Sequence, residues 1–258
     1  MKPVQRPSLT AILSALPEEQ HGLLEQLQGA HKQTVAGRDF WLGQLHDQPV
    51  VLGLSRIGKV SAALTAAVLI GHLGASRIVF TGVAGGLAPG VKVGDVVVAH
   101  DFIQHDLDVS PLFPRYEVPN YGRSRFPCDP VLTALLAQAA ERALTTASAA
   151  ASPIWAGAQV HTGLIASGDR FVSSADDSSR LQAALQGAGH TALAVEMEGA
   201  AVAQVCADYG VAFAAMRTIS DRADDLAHLD FSSFVTAVAS RYAQRIMAEL
   251  LRSLPAPV

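Results

Sequence analysis

Hydrophobic residues in this chain gather in short β-branched runs that end in glycine, serine or an acid, and stretches of helical spacing follow many of them. That alternation predicts an α/β fold. Strands are expected at Thr10–Ser14, Pro49–Ser55, Arg77–Thr81, Asp95–Ile103, Gln159–Ile165, Ala192–Val195 and Val211–Ile219. Several are continuous apolar runs, the pattern of strands buried on both faces. Val131–Thr145 sets Leu132, Leu135, Leu136, Ala139, Ala140, Ala143 and Leu144 on one helical stripe. A C-terminal helix is expected to turn Phe231, Phe234, Val235, Val238 and Tyr242 one way, with Asp230 as its cap. Met1–Ser8 and Ser253–Val258 should fray, and Thr145–Pro153 is an Ala/Ser/Thr connector or helix end. Ser110–Pro130 combines Pro111, Pro114, Pro119 and Pro127 with Phe113, Tyr116, Tyr121 and Phe126. It is too proline-rich for a regular element and too aromatic for solvent, so it is expected to cover something.

Composition narrows the function classes. With half of its 258 residues hydrophobic and 16% charged, the chain can bury enough apolar surface to offset its ordering entropy. No composition shift marks a boundary, so residues 1–258 are expected to form one domain. A net charge of −4 gives no global basic field for nucleic acid, and a small-molecule partner is expected instead. Cys128 and Cys206 form neither a disulfide framework nor a zinc spacing, which suits a reducing compartment. Lys2 and Arg6 precede the apolar stretch Leu9–Leu16, but Ser14 interrupts it and Pro17-Glu18-Glu19 ends it, so a secretion signal is not expected. Val60–Ala75, the longest greasy stretch, is broken by Ser61, Thr65, Gly71 and His72, so no membrane span is expected. The expectation is a cytoplasmic protein.

Several motifs bear on chemistry. Gly53–Val60 nearly matches the phosphate-cradling GxxxxGK[ST], yet Val60 has no hydroxyl to hold Mg²⁺, and a tight strand-to-helix turn is the simpler reading. Gly82-Val-Ala-Gly85-Gly86 lets backbone approach a ligand at a strand's carboxyl end. No GxSxG is present, and the His100, Asp101, His105, Asp106 and Asp108 group fits no metal signature, so no metal or cofactor is expected. Ala194-Val-Glu196-Met-Glu198-Gly-Ala200 runs a strand into two carboxylates and then a helix; one Glu there could simply serve the helix N-terminus, but two invite another role. Arg217 and Asp221 charge the end of another apolar strand, and Glu19 follows the first. Adjacent strands of an open α/β sheet share one crevice at their carboxyl ends, where Glu19, Glu198, Asp221 and Arg217 are expected to converge. Cleaving a glycosidic bond through an oxocarbenium-like state uses such a set: an acid for the leaving group and a base for water.

Ala15–Glu19, Ser55–Lys59, Thr81–Ala88 with Val93-Gly-Asp95, Ser167–Phe171, Ala194–Glu198 and Arg217–Asp221 stand in a specific order over most of the chain. In that combination the sequence resembles the 5′-methylthioadenosine/S-adenosylhomocysteine nucleosidases of the purine nucleoside phosphorylase superfamily. The resemblance implies a three-layer αβα sandwich around a mixed central sheet, a homodimer, and hydrolysis of the adenine–ribose bond without metal or cofactor. It makes Asp221 the acid at adenine N7, placed by Ser220, and Glu19 the residue that orients and deprotonates water, with Arg217 nearby. It assigns the ribose to Met197 and Glu198, the base to Phe171 and the Val172 backbone, further substrate contacts to Ile57, Ala84, Gly85 and Glu196, and has the region of Val109 reach into the neighbouring subunit's 5′-substituent pocket. Leu16, Val83 and Arg56 depart from the commonest pattern, and Arg56 brings a cation toward the expected site. Rival readings are a phosphorylase on the same fold, a hydrolase of another purine nucleoside of futalosine type, and a non-catalytic nucleoside-binding protein.

Overall fold

The computed structural model describes residues 8–149, 157–223 and 238–256. β1 (Thr10–Ser14) is wholly buried and lies between β4 (Gln48–Leu54) and β5 (Arg77–Phe80), parallel to both. Its side chains divide by the two-residue period of a strand: Ala11 and Leu13 enter one apolar cluster, Ile12 the other. α2 (Lys59–Gly71) and α5 (Gly199–Tyr209) cover the first face, while α1 (Pro17–Glu25), α3 (Pro130–Ala149) and α6 (Ser240–Ser253) cover the second. These are the three layers of an αβα sandwich, as the resemblance implies.

The sheet has eleven strands and is mixed. The seven strands expected from the sequence are all present within a residue or two. Four more were not expected. β2 (Gln28–Val35) and β3 (Arg38–Leu45) extend the edge beyond β4 as antiparallel neighbours. The turns joining them, Ala36-Gly37 and His46-Asp47, have positive φ at both residues, the geometry that matches strand twist in two-residue hairpins. β2 is polar and mostly exposed, so it carries no hydrophobic period to read. β6 (Val83–Gly86) and β8 (Arg125–Pro127) are short strands rich in glycine or ending in proline.

β11 (Ala212–Asp221) joins the two halves of the sheet. Ala212–Ala215 pairs with β5, Thr218–Asp221 with β6, and Met216–Thr218 runs antiparallel to β7 (Val96–Gln104). Since β6 pairs with β10 (Ala192–Glu196), β10 with β9 (Val160–Ser167) and β9 with β7, these five strands close on themselves. The open half of the sheet therefore runs into a closed ring through one strand.

The aromatic segment Ser110–Pro130 does cover something: Tyr116 is fully buried in a third cluster with Leu87, Ile103, Val172 and Val195, which α4 (Ala175–Gly187) closes with Leu185. Of the C-terminal stripe, Asp230, Phe231, Phe234 and Val235 lie outside the described residues; Val238 and Tyr242 are buried beside α1 and α3. The tail from Ser253 does not fray at its start. Leu254 is buried, and Gln48 Nε2 donates to the Leu254 and Pro255 carbonyls at 3.4 and 3.2 Å. No described helix is long and apolar enough to cross a membrane.

α5 approaches the ring at Gly199, where an added Cβ would stand 2.2 Å from the Phe102 ring. A buried ring cannot yield as a flexible side chain does. Gly199→Ala is expected to destabilise the protein by about 1–3 kcal/mol despite alanine's better helix propensity. Urea unfolding checks this as a lowered midpoint at unchanged slope.

Candidate active site

Three strand ends and the turns that follow them bring the acids together. After β1, Pro17 starts α1 with its φ already helical, and Glu19 in the first turn folds back on the strand end. Its Oε2 accepts from the Ala15 and Leu16 N–H groups at 2.8 and 2.9 Å, and its Oε1 from Val83 N–H at 3.1 Å. Burial raises the Glu19 pKa, opposed by those N–H groups and by the charge of Arg217. The approach is close: an added Cβ on Gly82 would lie 3.0 Å from Glu19 Oε1.

The second group follows β10. Glu196 is buried with its carboxylate saturated: Oε2 accepts from Arg217 Nη2 at 2.7 Å and Glu198 N–H at 3.1 Å, and both oxygens accept from Gly199 N–H. Ser167 Oγ also donates to Glu196, and accepts from Ala200 N–H at 2.8 Å. Glu198 is the N-cap residue of α5, but its side chain turns away from that helix and accepts from Gly58 N–H at 2.8 Å. Burial and then the adjacent Glu196 charge push Glu198 up to about 8.

The third group ends β11. Between Ile219 and Asp221 the register to β6 slips, leaving Ser220 without a partner in that ladder. Such a bulge re-aims the following side chain. Asp221 Oδ2 accepts from Ser220 Oγ at 2.7 Å and Oδ1 from Ala223 N–H at 2.7 Å. Opposite, Gly85 has no room for a Cβ, which would stand 3.0 Å from Asp221 Oδ1.

These groups face one cavity of about 340 Å³, within the range of small-ligand sites. It is lined by Glu19, Ile57, Ala84, Gly85, Phe171, Val172, Glu196, Met197, Glu198, Ser220 and Asp221, every site residue named from the sequence except Arg217 and Val109. Ala15, Leu16, Val83, Arg170 and Val195 complete the lining. Phe171 and Ile57, 45% and 58% exposed, present apolar surface at the mouth.

The sequence from residue 10 to residue 254 matches the profile of the Phosphorylase superfamily. The 5′-methylthioadenosine/S-adenosylhomocysteine nucleosidase of Geobacillus kaustophilus is 34% identical over 241 residues, covering 93% of this chain and 95% of the relative. That of Bacillus thuringiensis is 35% identical over 244 residues, with 93% and 98% covered. This chain belongs to that nucleosidase family. Among solved structures, the Neisseria meningitidis nucleosidase in complex with methylthio-immucillin-A superposes with a TM-score of 0.83 at 35% identity, over 96% of this chain and all of that one. A futalosine hydrolase from Helicobacter pylori gives 0.83 at 31% identity, over 96% and 98%.

Two features of this nucleosidase-family chain differ from the sequence expectation. Arg217 does not line the cavity: its guanidinium lies 4.0 Å from the centre of the Phe80 ring, donates to the Phe80 and Met216 carbonyls at 3.2 and 3.0 Å, and pairs with Glu196. An unpaired buried charge is costly, so Glu196 and Arg217 neutralise each other, and Glu19 meets Arg217 only through its field. Val109, expected to reach the neighbouring subunit's pocket, is half-buried and lies outside the cavity lining of its own chain. Arg56 turns from the site, donating to the Gly37 carbonyl at 2.7 Å, while Val83 stays in the lining and supplies its N–H to Glu19. The sequence missed Ser167 as the hydroxyl that holds Glu196, though it lies in a motif already singled out.

Arg217→Met would leave the Glu196 charge buried and unpaired. The expected cost is about 3–5 kcal/mol of stability, whereas Arg217→Met with Glu196→Gln should recover part of it. Chemical denaturation of the two variants checks this.

Proposed function

We propose that this nucleosidase-family protein is an N-glycosyl hydrolase that cleaves 5′-methylthioadenosine and S-adenosylhomocysteine to adenine and the thioribose product. The observation that carries the reading is the convergence of Glu19, Glu198 and Asp221 on one cavity with an aromatic mouth. Among the described residues the one cation lining that cavity is Arg170, which pairs with Asp177, and Arg217 behind it is engaged by Glu196. The Glu19 carboxylate repels phosphate, which favours water over phosphate as the nucleophile.

The geometry supports a role for each residue that the resemblance implied. Asp221, held by Ser220 and the Ala223 N–H, delivers a proton to N7 of adenine, so that the base leaves neutral. Glu19 is held by three backbone N–H groups and made more basic by burial, and it orients water and takes its proton. Glu198 accepts from the ribose hydroxyls and, as an anion, favours the ribosyl group as it becomes cationic. Met197 packs on the ribose, Phe171 stacks on the base, and the Val172 backbone reads its edge. No cofactor is needed, since carboxylates and water supply every proton and the nucleophile.

The same reading makes the chain a single domain that works in the cytoplasm as a homodimer. Val60 and Leu64, one turn apart on α2, and Ile57 just before that helix, 82%, 43% and 58% exposed, leave apolar surface by the cavity mouth, a surface suited to a second copy. Sedimentation equilibrium should give twice the 27.0 kDa chain mass, and Leu64→Glu should shift it toward the monomer.

The deciding experiment is adenine release from methylthioadenosine in phosphate-free buffer and again with phosphate. Adenine with free methylthioribose in both is expected; dependence on phosphate would make the protein a phosphorylase. Cleavage of futalosine but not methylthioadenosine would favour the second reading that the Helicobacter neighbour suggests.

Asp221→Asn should lower kcat by roughly 10²-fold or more with little change in binding of a substrate analogue. Because the anion of Glu198 is the useful form and its pKa is raised, kcat/KM should climb as pH rises toward about 8. Glu198→Gln should flatten that limb while lowering the rate.

A further inference from the structure

The segment that resembles a phosphate loop is bound by carboxylates of its own chain. Lys59 N–H donates to Asp169 Oδ1 at 2.7 Å, Asp169 N–H donates to Asp106 Oδ2 at 2.8 Å, and Lys59 Nζ closes the ring on Asp106 Oδ1 at 2.5 Å. Lys59 Nζ also reaches Gln104 Oε1 at 3.1 Å, whose amide donates to Gln204 of α5 at 3.0 Å. Burial alone would raise the Asp106 pKa, but Lys59 and the Asp169 N–H hold it below the usual carboxylate range.

Each side of this ring leads into the cavity. On one side, Ile57 lines the mouth and Gly58 gives its N–H to Glu198. Gly58 has φ 94° and ψ 157°, a conformation essentially confined to glycine, so the surroundings must hold the loop there. On the other side, Asp169 is followed by Arg170, Phe171 and Val172, all in the lining. The ring thus joins the wall that meets Glu198 to the wall that carries Phe171.

We infer that Lys59, Asp106 and Asp169 form an electrostatic latch that fixes the distance between these two walls, making all three positioning residues for the nucleoside. None of them lines the cavity, so they act through Glu198 and Phe171. In its activity arm the inference rests on the nucleosidase reading. The latch also bears on the charge of Glu198, which faces Glu196, Arg217 and Glu19 besides the Gly58 N–H, with His105 beside Lys59 and Asp106 at the ring. Losing the Gly58 N–H would favour the protonated form of Glu198.

The test compares Lys59→Met, Asp106→Asn and the conservative Lys59→Arg with wild type. Amide hydrogen exchange is measured first, because it requires no turnover. Lys59→Met is expected to speed exchange at residues 168–172 across the ring, and Asp106→Asn at both Gly58 and residues 168–172, with Lys59→Arg near wild type. In the activity arm, KM for methylthioadenosine should rise about tenfold or more with a smaller change in kcat. The acid limb of kcat/KM should move to higher pH. Wild-type exchange at residues 168–172 in Lys59→Met, or an unmoved KM and acid limb, would overturn the latch. Should the wild type release no adenine, the functional reading fails and the exchange result alone decides the latch. Loss of fold in Lys59→Met is separated by Asp106→Asn, which keeps the side-chain shape.

Discussion

The Glu196–Arg217 pair is the constraint on which the site depends. Removing two charges from water costs several kcal/mol for each ion, and the cost is met only if every lone pair and proton finds a partner. Here the partners are structural parts: the turn from β10 into α5, the Ser167 hydroxyl ending β9, and the carbonyls of Phe80 and Met216 on β5 and β11. One ionic contact therefore fixes three strand ends against the middle of β11. Glu198 and Asp221 then occupy set places on the cavity wall because their neighbours in sequence cannot move.

This arrangement separates two kinds of buried acid that look alike in sequence. Glu196 has a guanidinium and several donors, and serves the fold. Glu198 has one backbone donor and a like charge beside it, so its ionisation is costly. In the proposed reaction a cationic sugar would relieve that cost. That is electrostatic preorganisation, obtained from burial rather than from added groups.

The strands legible in the sequence were those whose buried faces leave a hydrophobic record, such as Thr10–Ser14. Of the four that were not, β2 lies at the sheet edge, where exposed side chains carry no period, β6 and β8 are only a few residues long, and β3 is bounded by Ala36-Gly37 and His46-Asp47, weak turn signals. The site was largely legible because charges interrupting an apolar strand are conspicuous. What spacing could not reveal was partnership. Arg217 announces a buried cation, but whether it answers to Glu19, Glu196 or a ligand depends on which strands adjoin, and that order is set by pairings distant in sequence. The near phosphate loop misleads for the same reason: its N–H groups do bind anionic oxygens, but those of Glu198 and Asp169.

β11 also has a consequence in time. Among the described residues, no ladder joins β1–β5 to the strands of the closed ring except through residues 212–221. During synthesis both half-sheets leave the ribosome first, each with an open edge and with Glu196 lacking its counter-ion. The strand that closes those edges also brings in Arg217 and ends in Asp221. Until it emerges, the nascent chain exposes two unpaired strand edges, the kind of surface that recruits chaperones or other nascent chains. Completion of the acid set and removal of that hazard are thus one event, late in the life of the growing polypeptide.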